Sequence, residues 1–314
     1  MRIFVVGNYM NANFLHVPHL PHTGESVAAT GVFREHGGKG LNLAVALHRL
    51  GADVALKMAI GRDEAGASVV RALRAMNMNV SGVVETDEPS GFGVGFIAAD
   101  GGNFLSAYLG ANLLLDESHI FAAAADVERA DWILGQFEAP EPAIAAAFRL
   151  GRAAGARTYL NPSPWREPDA ALFAACDALV MNESESARFF DSPALENASL
   201  DVWRQALRDH ARARSWQGEW LVATLAARGA IARDRAGKIH YAPGFAIDQM
   251  DATGAGDAFG AGFVWALQSG RQDPLAFANA CGALVARRIG ILEWLPGAGE
   301  VEAFLRQARA VTSA

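Results

Sequence analysis

The sequence predicts an α/β fold: one central, mostly parallel sheet with helices on both faces, plus a small β-sheet lid. Three observations carry this expectation. Short β-branched or aromatic runs alternate with amphipathic helical stretches over most of the 314 residues, the pattern of strand–helix–strand units around a parallel sheet. Half of the chain is hydrophobic (51%) and only 19% is charged, enough apolar material for a large core. Two glycine-dotted stretches, 13–36 and 91–109, lack helical periodicity and read as strands of a small sheet inserted into a single α/β domain spanning 1–314.

The elements follow in order. Ile3–Val6 is a short buried strand ending at Gly7, and Val54–Ile60, Trp132–Leu134, Thr158–Leu160, Ala178–Met181 and Trp220–Thr224 have the same character. Asn42–Leu50 places Leu43, Ala46, Leu47 and Leu50 at helical spacing, with Gly51 as its stop. Leu113–Ala125, Glu141–Ala154, Ser199–Ala213, Ala258–Leu267 and Leu275–Arg287 are further helices.

The formal net charge of -7 argues against a nucleic-acid partner, which calls for a basic surface. Arg204, Arg208, Arg212 and Arg214 read as the solvated face of a helix. Cys176 and Cys281 stand far apart and suggest neither a disulfide framework nor a zinc site. The apolar run at the start is too short for a signal peptide, and nothing approaches a membrane span. The expected setting is cytoplasmic, with no membrane partner.

The segment richest in chemistry is Asp251-Ala-Thr-Gly-Ala-Gly-Asp257-Ala-Phe, followed by a helical stretch. Small residues at 254–256 allow a tight turn, and a turn opening a helix gathers unpaired N–H groups into an anion site. Asp257 puts a proton acceptor beside that site, a combination suited to phosphoryl transfer. Two other readings stay open: an ordinary N-capped helix with Asp257 as dipole partner, and a dinucleotide loop, although that motif belongs after a first strand. A second cluster, Gly37-Gly38-Lys39-Gly40-Leu41-Asn42, leads into a helix. It is not a Walker A loop, because Gly40 follows the lysine.

Together the clusters resemble the two signatures of the PfkB (ribokinase-like) carbohydrate kinases, the ribokinase branch most of all. The first is Gly38-Lys39-Gly40-Leu41-Asn42-Leu43-Ala44 with Gly51 and Gly61 following; the second is Asp251 to Phe259. Asn11-Ala12, Gly110-Ala111-Asn112, Glu138-Ala139-Pro140, Asn161-Pro162-Ser163-Pro164 and Asn182-Glu183-Ser184-Glu185 also match. The resemblance implies a ribokinase-like fold and an ATP-dependent sugar kinase. Asp257 would be its base, and the amides of Ala255, Gly256 and Asp257, turned at Gly254, would be its anion hole.

It also implies that Asn182 and Glu185 organise Mg²⁺ through water, and that Thr224, Gly229 and Asn279 line the nucleotide. Ala226 replaces a glycine common in that nucleotide loop. The sugar would be held by Asn11, Asn13, Gly38, Lys39, Asn42 and Glu138. Here the sequence departs from the family: Asn13 stands for an aspartate, and one extra residue separates Gly7 from Asn11. Some relatives bind K⁺, which would fall on Asp251, the Thr253 carbonyl and carbonyls around 286–290. Trp294, in place of a small hydroxyl residue, and two arginines would disturb that site. A ribose-like acceptor is favoured, and the resemblance suggests a homodimer through the lid. The alternatives are a nucleoside or other polyol kinase of the same fold, and a silent sugar- or nucleotide-binding sensor, for which retention of Asp257 has no use.

Overall fold

In a computed structural model describing residues 1–312, the strands β1 (Arg2–Val6), β2 (Met10–Val17), β3 (Gly31–Gly37), β4 (Asp53–Gly61), β5 (Val83–Thr86), β6 (Phe92–Ala98), β7 (Asn103–Tyr108), β8 (Trp132–Gln136), β9 (Arg157–Asn161), β10 (Ala178–Asn182), β11 (Trp220–Thr224), β12 (Ala230–Asp234) and β13 (Ile239–Ala242) form two sheets. The larger has nine strands in the order β13-β12-β11-β10-β9-β8-β1-β4-β5. From β11 through to β5 it is parallel, with β12 and β13 added antiparallel at one edge. Parallel strands share one C-terminal edge, so Asn8, Glu138, Asn161, Asn182 and Thr224 all gather where β1, β8, β9, β10 and β11 end.

The helices are α1 (Lys39–Arg49), α2 (Glu64–Ala75), α3 (Glu117–Phe121), α4 (Ala124–Glu128), α5 (Glu141–Ala153), α6 (Ala170–Ala174), α7 (Glu183–Phe189), α8 (Leu200–Asp209), α9 (Ala211–Ser215), α10 (Ala255–Gln268), α11 (Pro274–Ala286) and α12 (Ala298–Thr312). One apolar cluster joins α1, α10 and α11 to a face of the sheet, and a second joins α5 and α8 to the other. A sheet buried on both faces needs near-continuous apolar strands, as in β1, whose Ile3–Val6 are all buried.

Two expected helices are broken. Leu113–Ala125 is a 3-10 turn (Gly110–Leu114) followed by α3 and α4, because Asp116 makes a capping box with His119 and starts a new helix. Ser199–Ala213 divides at His210, whose extended backbone (ψ 136°) ends α8 and caps α9. The arginine row therefore spans two helices, and Arg212 donates to the Phe189 carbonyl rather than standing free in solvent.

The small sheet runs β3-β2-β6-β7. It begins at Met10, earlier than the expected 13, and 18–30 is a connection rather than strand. Side chains alternate between faces along a strand. Ala12, Phe14, Phe33 and Glu35 share the inner face, where Glu35 accepts from the backbone N–H groups of Ile291 and Leu292 on the main body. Val32, Phe92 and Phe104 share the outer face with Asn11 and Asn13.

Candidate active site

The mouth of α10 is built by glycine. Gly254 adopts φ 77°, and a Cβ there would lie 2.5 Å from Ile291, so only glycine makes this turn without strain. Ala255 N–H bonds the Ala252 carbonyl, which removes it from the expected set of three anion-binding amides. Gly256 and Asp257 keep first-turn N–H groups with no intrahelical acceptor. A Cβ on Gly256 would meet nothing within 4 Å, so the turn looks into open space.

Asp257 is 7% exposed. Burial raises its pKa to about 6, opposed by the Lys39 ammonium and by the Asn42 amide, while Glu138 and Glu185 add to the rise. Asn42 Nδ2 donates to Asp257 Oδ2 at 2.7 Å. The charge of Asp257, and then those of Glu138 and Glu185, hold the Lys39 pKa above its ordinary value against desolvation. Lys39, Asn42, Glu138, Glu185 and Asp257 are thus one electrostatic cluster.

Packing brings α1 to that cluster. A Cβ on Gly40 would lie 2.3 Å from Gly7 Cα, so the helix start touches the end of β1. Gly38, at φ 112°, lies against the Asn8 backbone. Glu138 Oε2 accepts from Lys39 N–H and from Asn8 Nδ2, both at 2.9 Å, while Asn8 Oδ1 accepts from Gly40 N–H at 2.9 Å and Gln136 Nε2 at 3.0 Å. A carboxylate on first-turn amides suits the helix dipole. Sequence reasoning missed Asn8 and Gln136. An asparagine after a strand carries no signal until its partners, from 32 to 130 residues away, are known.

Asn182 and Glu185 make a capping box: Asn182 Oδ1 accepts from Glu185 N–H at 2.8 Å, and Glu185 Oε2 accepts from Asn182 N–H at 2.9 Å. Thr224 pairs in register with Asn182 on the neighbouring strand. Gly229 is demanded by packing, since a Cβ would lie 2.1 Å from the Ala242 carbonyl.

Two expectations need correction. Asn11 and Asn13 point to the outer face of the lid, and Asn13 spends its amide on the Asn11 carbonyl. The extra residue after Gly7 is the cause, because a slip of one exchanges the two faces. Asn279 is buried and commits its Nδ2 to the Ala242 and Pro243 carbonyls, a tie between α11 and the end of β13. Around the expected K⁺ position several groups are already engaged by the protein. Asp251 Oδ1 accepts from Thr253 N–H and Oγ1, and the Ala286 carbonyl already takes the Met250 and Asp251 amides. Trp294 Nε1 holds the Ile289 carbonyl, with the Arg288 guanidinium over its ring at 4.9 Å.

Ala226 sits at φ 49°, the left-handed region where a side chain costs about 1–2 kcal/mol. Glycine belongs at this turn. Ala226→Gly is expected to raise stability by about 1 kcal/mol in denaturant titration, and an unchanged midpoint would show the turn to be unstrained.

The pfkB family carbohydrate kinase model matches residues 2–296. A ribokinase of Haemophilus influenzae is 27% identical over 307 residues, covering 97% of this chain and 98% of that protein. A deoxyribokinase of Salmonella typhi is 30% identical over 266 residues, covering 82% and 83%. The structure of Arabidopsis thaliana ribokinase complexed with ribose and ATP superposes with a TM-score of 0.89 at 25% identity, over 97% of this chain and 98% of that one. A carboxylate at a glycine-built helix mouth, a lysine beside it and a family match over almost the whole length lead to one conclusion: this chain belongs to the pfkB family of carbohydrate kinases.

Proposed function

We propose that this kinase transfers the γ-phosphoryl group of ATP to a hydroxyl of a small, ribose-like sugar. The observation that carries the reading is Asp257: a buried carboxylate whose pKa is raised to about 6, tethered by Asn42 beside an open anion-binding turn. A carboxylate with that pKa is ionised at neutral pH yet basic enough to take a hydroxyl proton as the new P–O bond forms. Gly256 and Asp257 N–H groups face the migrating phosphoryl group, Lys39 balances charge, and Glu138 receives a sugar hydroxyl. The nucleotide lies over Asn182, Thr224 and the Gly229 loop.

Mg²⁺, when bound, would neutralise charge on the nucleotide phosphates. No group of three or more potential ligands is gathered among the described residues, which suits an ion carried mainly by phosphate and water with one protein carboxylate. Glu185 would supply it. Glu185→Gln should raise the Mg²⁺ concentration needed for half-maximal rate several-fold; an unchanged titration removes the role.

The outer face of the lid supports a homodimer. Phe104 on β7 is 62% exposed, with Val32, Phe92 and Tyr108 on the same face also open, a patch of the kind that marks an interface. Sedimentation at micromolar concentration reads this directly, and a monomer would refute it. No helix among the described residues is long and apolar enough to cross a membrane, and both cysteines are free and buried, in keeping with a cytoplasmic setting.

The test of the function is ADP release from ATP and Mg²⁺ across a panel of free pentoses, with mass detection of the sugar phosphate. Failure to phosphorylate any sugar would sink it.

A further inference from the structure

Glu138 is held at one oxygen and free at the other. Its Oε2 accepts from the Lys39 N–H and from Asn8 Nδ2, while Oε1 takes no hydrogen bond from the described residues and keeps accessible surface. Behind it stand two side chains that are wholly buried, Asn8 and Gln136. Their amides can face one way only. The Glu138 N–H is a donor and nothing else, and it donates to Gln136 Oε1 at 2.5 Å. Gln136 therefore turns its Nε2 toward Asn8, whose Oδ1 accepts it together with the Gly40 N–H. Asn8 is left with Nδ2 facing Glu138. Helix α1 closes over this chain of bonds, since a Cβ on Gly40 would lie 2.7 Å from Gln136 Nε2.

We infer that Asn8 and Gln136 are positioning residues for the kinase reaction: they fix the Glu138 carboxylate so that Oε1 is the oxygen presented to the acceptor sugar. The inference rests on the sugar-kinase function proposed above. Two donors on one oxygen keep a carboxylate from swinging, so an arriving hydroxyl meets an acceptor that is already aimed and little ordering is left for binding to bring about. The same bonds hold the start of α1, through the N–H groups of Lys39 and Gly40, and that helix carries Lys39 and Asn42. Asn8 and Gln136 are closed off from the cleft, so both act through Glu138 rather than on the sugar.

The experiment is Asn8→Asp in the full chain, with ATP, Mg²⁺ and ribose. While protonated, the introduced carboxyl repeats the amide: its carbonyl accepts from Gly40 and Gln136, and its hydroxyl donates to Glu138 Oε2. Once ionised it sets a second negative charge against Glu138. Like charges that close resist ionising together, so the proton should be lost between ~pH 5 and ~pH 9. Over that range the ratio of variant to wild-type KM for ribose should climb about tenfold, the worth of a hydrogen bond to a charged group, while KM for ATP keeps its wild-type value. The ratio cancels the charges of Lys39, Glu185 and Asp257, which both proteins share. Gln136→Glu, one side chain farther from the sugar, should show the same climb, because its ionised form turns a charge on Asn8 Oδ1. Ratios that stay flat with pH in both variants, or that rise equally for ATP, mark a merely structural role; they overturn this inference and leave the sugar-kinase function standing. Melting curves that show neither variant folding at any pH overturn it as well. No turnover of any pentose by the wild type removes the function and this inference together.

Discussion

Asp257→Asn should lower turnover by about 10²–10⁴-fold, the usual worth of a positioned base, and at the same time make the protein more stable at neutral pH. The amide keeps an acceptor for Asn42 Nδ2 but cannot take the hydroxyl proton. The stability change follows from the raised pKa. A carboxyl that holds its proton more tightly when folded than when unfolded favours the fold fully below its ordinary range. That contribution is lost as pH rises through about 6. Above pH 7 the native chain therefore carries a buried charge at a cost of roughly 3 kcal/mol, from ~2 units at ~1.4 kcal/mol each, and asparagine removes it. Melting temperatures across ~pH 4–8 should separate wild type and variant increasingly toward the alkaline end. Near-normal turnover would remove the base assignment, and a constant gap in melting temperature would contradict the burial argument.

Lys39→Met should shift the acid limb of the kcat profile upward. In the wild type that limb should lie near 6 if Asp257 is the base, because its carboxyl is raised to about 6. The Lys39 ammonium is the largest influence opposing the rise; without it burial and the charges of Glu138 and Glu185 act almost alone. An opposite charge at close range is worth 1–3 units, so the limb should move to ~7 or above. At pH 6.5 turnover should fall about threefold or more, and it should recover as pH rises toward ~9. Loss of activity that no alkaline pH relieves would mean that Lys39 acts through the substrate alone.

Much of this site was legible because its parts are local. Gly254 to Asp257 and Gly38 to Asn42 are short turns at helix mouths, and glycine chemistry at such turns can be read from a few neighbouring residues. The strands β1, β8, β9, β10 and β11 announce themselves because each is apolar on both faces. What was hidden depends on contacts far apart in sequence. The facing of Asn11 and Asn13 turns on a single residue of register, and that register is held by Asn112, about a hundred positions later. Asn279 looked like a polar residue awaiting a ligand until the β13 carbonyls were found on it. The split at Asp116 was written as Asp-x-x-His, a capping box without the usual glutamate or glutamine.

The Glu35 carboxylate ties the lid to Ile291 and Leu292, Arg49 holds the carbonyls of Leu292 and Glu293 from the other side, and the Ile291 side chain underlies Gly254. The small sheet and the mouth of α10 therefore share one anchor, the 291–293 segment, so a change on either side of it is felt on the other.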